Sequence, residues 1–196
     1  MRELVYYVAV SLDGYIAGPG GELDAFPVEG DHMAAQNERF PEAIPTVIAD
    51  AMGIERTGSM FDTVVMGWNT YAVGLPAGMT SPYQHLQQVV FSRKRTEEDI
   101  PGEHPNLQLT HEDPVDVVRR LKSGPGKSIW LCGGGQLATQ LSGEIDRLVL
   151  KRSPLLFGDG IPLFARGAYQ PSAFEEVSTT AFGSGVVISE YVRRRA

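Results

Sequence analysis

One cysteine, Cys132, in 196 residues leaves no internal disulfide to form, which fits a reducing compartment. It follows an apolar run and is expected as a buried, inert thiol. The four histidines, His32, His85, His104 and His111, are far apart, and neither H-E-x-x-H nor a paired-cysteine spacing occurs. A metal centre is therefore not expected. No G-x-S-x-G elbow follows a strand-like run, so the serine-hydrolase signature is missing, and Gly183-Ser184-Gly185 reads as a hairpin turn. Cations are outnumbered, 17 Lys and Arg against 24 Asp and Glu, for a net charge of −7. Such a chain lacks the basic surface that nucleic acid or membrane requires, and neither partner is expected. The one basic run, Arg193 to Arg195, is expected as a solvated tail. No signal peptide or apolar run of membrane-spanning length appears, and the opening "ELVYYVAV" is short enough to be a strand. The expected location is the cytoplasm.

What is present suits one globular domain over residues 1–196, since 42% hydrophobic against 21% charged residues is enough to build a core. Short, continuously apolar runs recur at Leu4 to Val10, Thr63 to Met66, Gln88 to Phe91, Leu107 to Leu109, Ser128 to Leu131 and Arg147 to Leu150. That pattern predicts strands covered on both faces. Asp113 and Pro114 form an N-cap and first-turn pair ahead of a helix with Val115, Val118 and Leu121 on one face and Gly124 at its end. "FEEVSTTAFGSGVVISEYV" predicts a hairpin. The fold class is α/β, a mostly parallel sheet with an antiparallel hairpin at one edge. Glycine and proline interrupt the stretch from Gly18 to Ser59, which is expected as a long loop with helical pieces, one ending near Gly53.

"IWLCGGGQLATQL", Ile129 to Leu141, turns from a strand into a helix through three glycines. Gly133, Gly135 and Ala138 spell G-x-G-x-x-A, but a Rossmann site needs an acidic residue at the end of the next strand. That strand ends in Lys151 and Arg152, and Asp159 lies in the turn "FGDG". Two readings stay open. Glycine either permits close packing in a tight turn, or it bares backbone N–H groups for a phosphate.

Three further strand ends carry small or polar residues: "VAVSLDGYIAG", "VVMGWNTY" and "VVFSRK". With "GGGQL" and the later "IDRLVLKRSPLLFGDGIPLF", they resemble the dihydrofolate reductase-like superfamily. The closest branch includes the C-terminal reductase domain of bacterial riboflavin biosynthesis enzymes. The resemblance implies a dihydrofolate reductase-like fold and an NADPH-dependent reductase acting on a small heterocyclic or ribosylaminopyrimidine-like substrate. By the same resemblance, Ala9 and Ile16 flank the nicotinamide, and Gly67, Trp68, Asn69 and Thr70 hold the pyrophosphate. Ser92 and Arg93 meet the adenosine 2′-phosphate, and Gly133, Gly134, Gly135, Gln136 and Leu137 complete the phosphate contacts. Trp68 stands where the family often has an arginine, which leaves Arg93 and Lys94 to carry the charge.

For the proton, dihydrofolate reductases use an acid at the start of the helix after the first long loop. Asp31, five residues past Phe26, is the counterpart, either a proton relay or substrate anchor, or a helix N-cap. Asp13 is the second candidate, or a turn residue. A true dihydrofolate reductase and a non-catalytic NADP(H)-binding module remain as alternatives. A homodimer is expected, through the apolar strand "GVVISEYV".

Overall fold

Strands form where β-branched and aromatic residues alternate between two buried faces. The computed structural model, which describes residues 1–56 and 58–194, runs in chain order β1 (Leu4–Val10), β2 (Tyr15–Ala17), α1 (Asp31–Arg39), α2 (Thr46–Met52), β3 (Phe61–Gly67), α3 (Trp68–Ala72), β4 (Gln87–Phe91) and β5 (Leu107–Thr110). There follow α4 (Pro114–Ser123), β6 (Ser128–Gly133), α5 (Gly135–Gln140), β7 (Arg147–Arg152), β8 (Ile161–Pro162), β9 (Phe174–Ala181) and β10 (Val187–Arg193). Eight strands form one sheet in the order β5-β4-β3-β6-β1-β7-β10-β9, and β2 pairs with β8 in a separate ribbon. β5 through β7 in that order are parallel, and β10 and β9 add antiparallel at the edge.

Neighbouring residues of one strand enter different cores, which explains the unbroken apolar runs. Leu4 and Tyr6 of β1 pack with Ile129, Leu131, the helical residues Val118 and Leu137, and Leu141 just past α5. Val5 and Tyr7 face the other way, toward Phe40, Phe61, Tyr71 and Trp130. Burial contributes about 1.5–3 kcal/mol for each enclosed Leu, Ile or Phe. Exposed ion pairs such as Arg120 with Glu112 add about 0–1 kcal/mol each, so the two cores hold the sheet.

Asp113 caps α4 as expected, accepting from the Val115 and Asp116 backbone N–H groups at 2.8 and 3.4 Å, with Pro114 in the first turn. The stretch from Gly18 to Ser59 contains α1, a short 3-10 turn and α2, which Gly53 closes at φ 65. Two expectations need correction. β10 is interior, between β7 and β9, so the free edge belongs to β9. The basic run is not a solvated tail throughout. Arg193 donates to the Ile145 and Ser142 carbonyls and covers the Phe174 ring, while Arg195 lies outside the described residues. Among the described residues, no helix is long and apolar enough to cross a membrane.

Candidate active site

A parallel sheet brings its strand C-termini to one edge, where the chain departs and backbone N–H groups lose their strand partners. β4, β3, β6 and β1 are consecutive in the sheet, and they end there in Phe91, Gly67, Gly133 and Val10. With about 4.8 Å between neighbours, the row covers roughly 14 Å, a track for an extended ligand.

The motifs along this edge touch one another in turn. Asp13, beyond β1, accepts from the Phe157 and Gly158 N–H groups, the latter at 2.8 Å, and so ties "SLDG" to "FGDG". Gly160 packs so near β2 that a Cβ there would come within 2.2 Å of the Ala17 carbonyl. Gly135 is equally close to the next residues, with 2.1 Å from such a Cβ to the Pro162 oxygen. Thr70 faces the glycine turn, since a Cβ on Gly133 or on Gly134 would stand 3.6 Å from its hydroxyl. A Cβ on Gly67 would lie 4.0 Å from the Gly133 oxygen and the Gly134 nitrogen. At the far end the Arg95 guanidinium covers the Trp68 ring at 5.3 Å.

The three glycines have different reasons to be glycine. Gly133 has φ 142, a conformation closed to L side chains, and its peptide bond to Gly134 is cis. Gly135 is required by the Pro162 carbonyl. Gly134 has φ −97 and ψ −168, open to any residue, and no neighbour nearer than 3.6 Å to a Cβ. Backbone conformation therefore accounts for Gly133 and close packing for Gly135, which leaves Gly134 unexplained. α3 and α5 also begin at this edge, with Gly67 and Gly134 as their N-caps. Their first N–H groups have no partner within the helix.

Each remaining residue has a definite place. Ala9 is partly buried on β1 and Ile16 is buried on β2. Asn69 and Gln136 are exposed, and Trp68 is partly buried against the second core. Leu137 is a core side chain, so only its backbone faces the edge. Ser92 Oγ accepts from the Lys94 and Arg95 N–H groups at 3.2 and 2.9 Å, which curls the end of β4. Arg93 and Lys94 are exposed, and neither has a carboxylate partner among the described residues. Sequence reasoning stopped at Lys94 and missed Arg95. The available signal was the third cation of "SRKR" together with an aromatic where an arginine is usual.

The two candidate acids are both engaged as anions. Asp13 accepts from the Ser11 hydroxyl at 2.6 Å and from the 157–158 backbone, and the Ser11 hydrogen bond foremost holds its carboxyl down at about 2. Asp31 is the first residue of α1, and the N-cap is Gly30, which corrects the capping reading. Its carboxylate accepts from Gly183 N–H at 2.7 Å and Ser184 N–H at 3.1 Å, in the turn of the β9–β10 hairpin. The Gly183 N–H is the main reason its carboxyl lies below the ordinary value. Hydrogen bonds to the charged form make each carboxyl a poor proton donor at neutral pH. Cys132 is partly buried, and burial pushes its thiol up to about 12.

A sequence profile of the RibD C-terminal domain matches residues 2–188. The uncharacterized protein YwjB of Bacillus subtilis is 32% identical over 168 residues, covering 83% of both chains. Among solved structures, a putative riboflavin biosynthesis protein from Shewanella sp. PV-4 superposes with a TM-score of 0.73 at 25% identity, covering 100% of both chains. Dihydrofolate reductase from Enterococcus faecalis, solved with NADP(H) and the compound RAB-propyl, gives a TM-score of 0.62 at 16% identity. That comparison covers 98% of this chain and 97% of the reductase.

Proposed function

Since this chain belongs to the RibD C-terminal domain family, we propose that it is an NADPH-dependent reductase. It delivers a hydride to a C=N or similar bond of a small heterocyclic, ribosylaminopyrimidine-like molecule. The fold it shares with a reductase solved with NADP(H) supports the choice of cofactor. The observation that carries the reading is Gly134, a glycine that the fold does not require, at the start of α5 within the row of strand ends.

The residues of the edge suit a dinucleotide. Gly67 to Thr70 and Gly133 to Leu137 would hold the phosphates, largely through backbone N–H groups. Ser92 and Arg93 would meet the 2′-phosphate at the end of β4, where an exposed guanidinium offers a bidentate contact. Ala9 and Ile16 would flank the nicotinamide, which supplies the hydride when bound. The protein's own part is to orient the two reactants, exclude water and provide one proton. The alternative of a pterin reductase drew on Asp31 as the acid, and that carboxylate is committed to the hairpin turn.

Gly134→Val tests the reading, because its backbone angles admit valine and the nearest group stands at contact distance. The variant is expected to fold and to bind NADPH at least tenfold more weakly by calorimetry, on the order of 1.4 kcal/mol. Unchanged affinity in a folded variant would remove the phosphate role from the glycine turn.

A further inference from the structure

Lys151 is the last residue but one of β7, and the cofactor track leaves its side chain unused. Lys151 is partly buried, and among the described residues its ammonium has neither a carboxylate partner nor a hydrogen bond. Its Nζ lies over the Tyr7 ring, 4.8 Å from the centroid. In the sheet register Lys151 sits opposite Ala9, the residue placed beside the nicotinamide. Side chains alternate along a strand, so Lys151 shares a face with Val149, and with Tyr7 and Ala9 on the neighbouring strand. Cys132 packs on that same face.

The surroundings leave the ammonium uncompensated. Tyr7 from β1, Cys132 from β6 and Tyr83 ahead of β4 all resist ionisation, chiefly through burial. Arg39 of α1 adds a second cation near Tyr7, whose hydroxyl donates to Gln36 at 3.2 Å. Glu190 of β10, opposite Val149 in the register, is taken by Arg39 and Arg147. A cation withdrawn from water without a partner is costly to keep charged, and burial lowers the Lys151 pKa to about 8. An amine in that range is still mostly protonated at neutral pH and gives up its proton far more readily than an ordinary lysine.

We propose that Lys151 is the general acid of the reduction, its ammonium protonating the substrate nitrogen while the hydride arrives at the adjacent carbon beside Ala9. The proposal rests on the reductase reading. In the step, the hydride supplied by NADPH forms a new C–H bond and brings two electrons to the carbon. The π pair of the C=N bond moves onto nitrogen, which takes a proton as one N–H bond of Lys151 breaks. The products are NADP⁺, the amine and a neutral lysine, which water reprotonates. Asp13, held ionised foremost by the Ser11 hydroxyl, and Asp31, by the Gly183 N–H, have no proton to give at neutral pH.

The test is trace labelling of the whole protein with acetic anhydride across about pH 6 to 11, each lysine read by mass spectrometry, with and without NADPH. In the free protein Lys151 should label with a midpoint near 8, and the exposed Lys127 serves as the reference for reagent access. Saturating NADPH, followed by its own fluorescence, should slow labelling of Lys151 at least about tenfold and leave Lys127 unchanged. If NADPH binds and Lys151 labels as before, the proposal is overturned while the reductase reading stands. A Lys151 that titrates near the ordinary lysine value of 10.5, or that is unreactive in the free protein, overturns it as well. If NADPH does not bind, the reductase reading fails and the proposal fails with it.

Discussion

Arg93 and Arg95 leave the same strand end two residues apart and are set to different tasks. Arg95 is engaged twice, over the Trp68 ring and with Asp99 at 3.0 Å, so it braces the end of β4 against α3. Arg93 is exposed with no carboxylate partner among the described residues, the condition of a cation available to a phosphate. Only NADPH carries the 2′-phosphate. Arg93→Ala is therefore expected to weaken NADPH by about tenfold, about 1.4 kcal/mol, and to leave NADH affinity unchanged in the same titration. Equal losses for both cofactors would make Arg93 structural. Trp68, where an arginine is usual, thus comes with a neighbouring guanidinium on its ring. That pairing was hidden in the sequence, because Trp68 and Arg95 are 27 positions apart and meet only through the β3–β4 register.

Between elements, two turns are fastened by single carboxylates. Asp31 joins the start of α1 to the β9–β10 turn, and Asp13 joins the turn after β1 to the one before β8. Asp31→Ala should lower the melting temperature by a few degrees and leave NADPH affinity unchanged. Lost turnover at unchanged stability would instead return Asp31 to the chemistry. Because the folded carboxyl titrates below its ordinary value of 3.8, the stabilisation is complete above that pH. The gap between wild type and variant should close as pH falls further and the folded carboxyl protonates. Strands and the α4 cap were legible in sequence, since residues such as Leu4 and Val5 fill opposite cores and Asp113-Pro114 is a local signal. The β2–β8 ribbon was not. Its strands have three and two residues and lie about 145 positions apart, so no periodicity marks them. The identity of the free edge was equally hidden, because β9 and β10 are both strand-like and only the pairing of β10 with β7 decides it.

At the scale of the molecule, β9 is the last strand of the sheet and, among the described residues, leaves its outer edge unpaired over eight residues, with Glu175 to Ala181 exposed. A long bare edge invites a second strand, and we propose that two copies pair there as a homodimer. Sedimentation at micromolar concentration should give twice the 21.3 kDa chain mass, and a single 21.3 kDa species would reject it. The proposed reductase requires that a dinucleotide lie across the ends of β4, β3, β6 and β1. Hydrogen–deuterium exchange with and without saturating NADPH reads that placement amide by amide. Protection is expected at residues 67–70, 92–95 and 133–137, with β9 unaffected. Binding of NADPH with unchanged exchange in all three segments, or protection confined to another edge of the sheet, would contradict it.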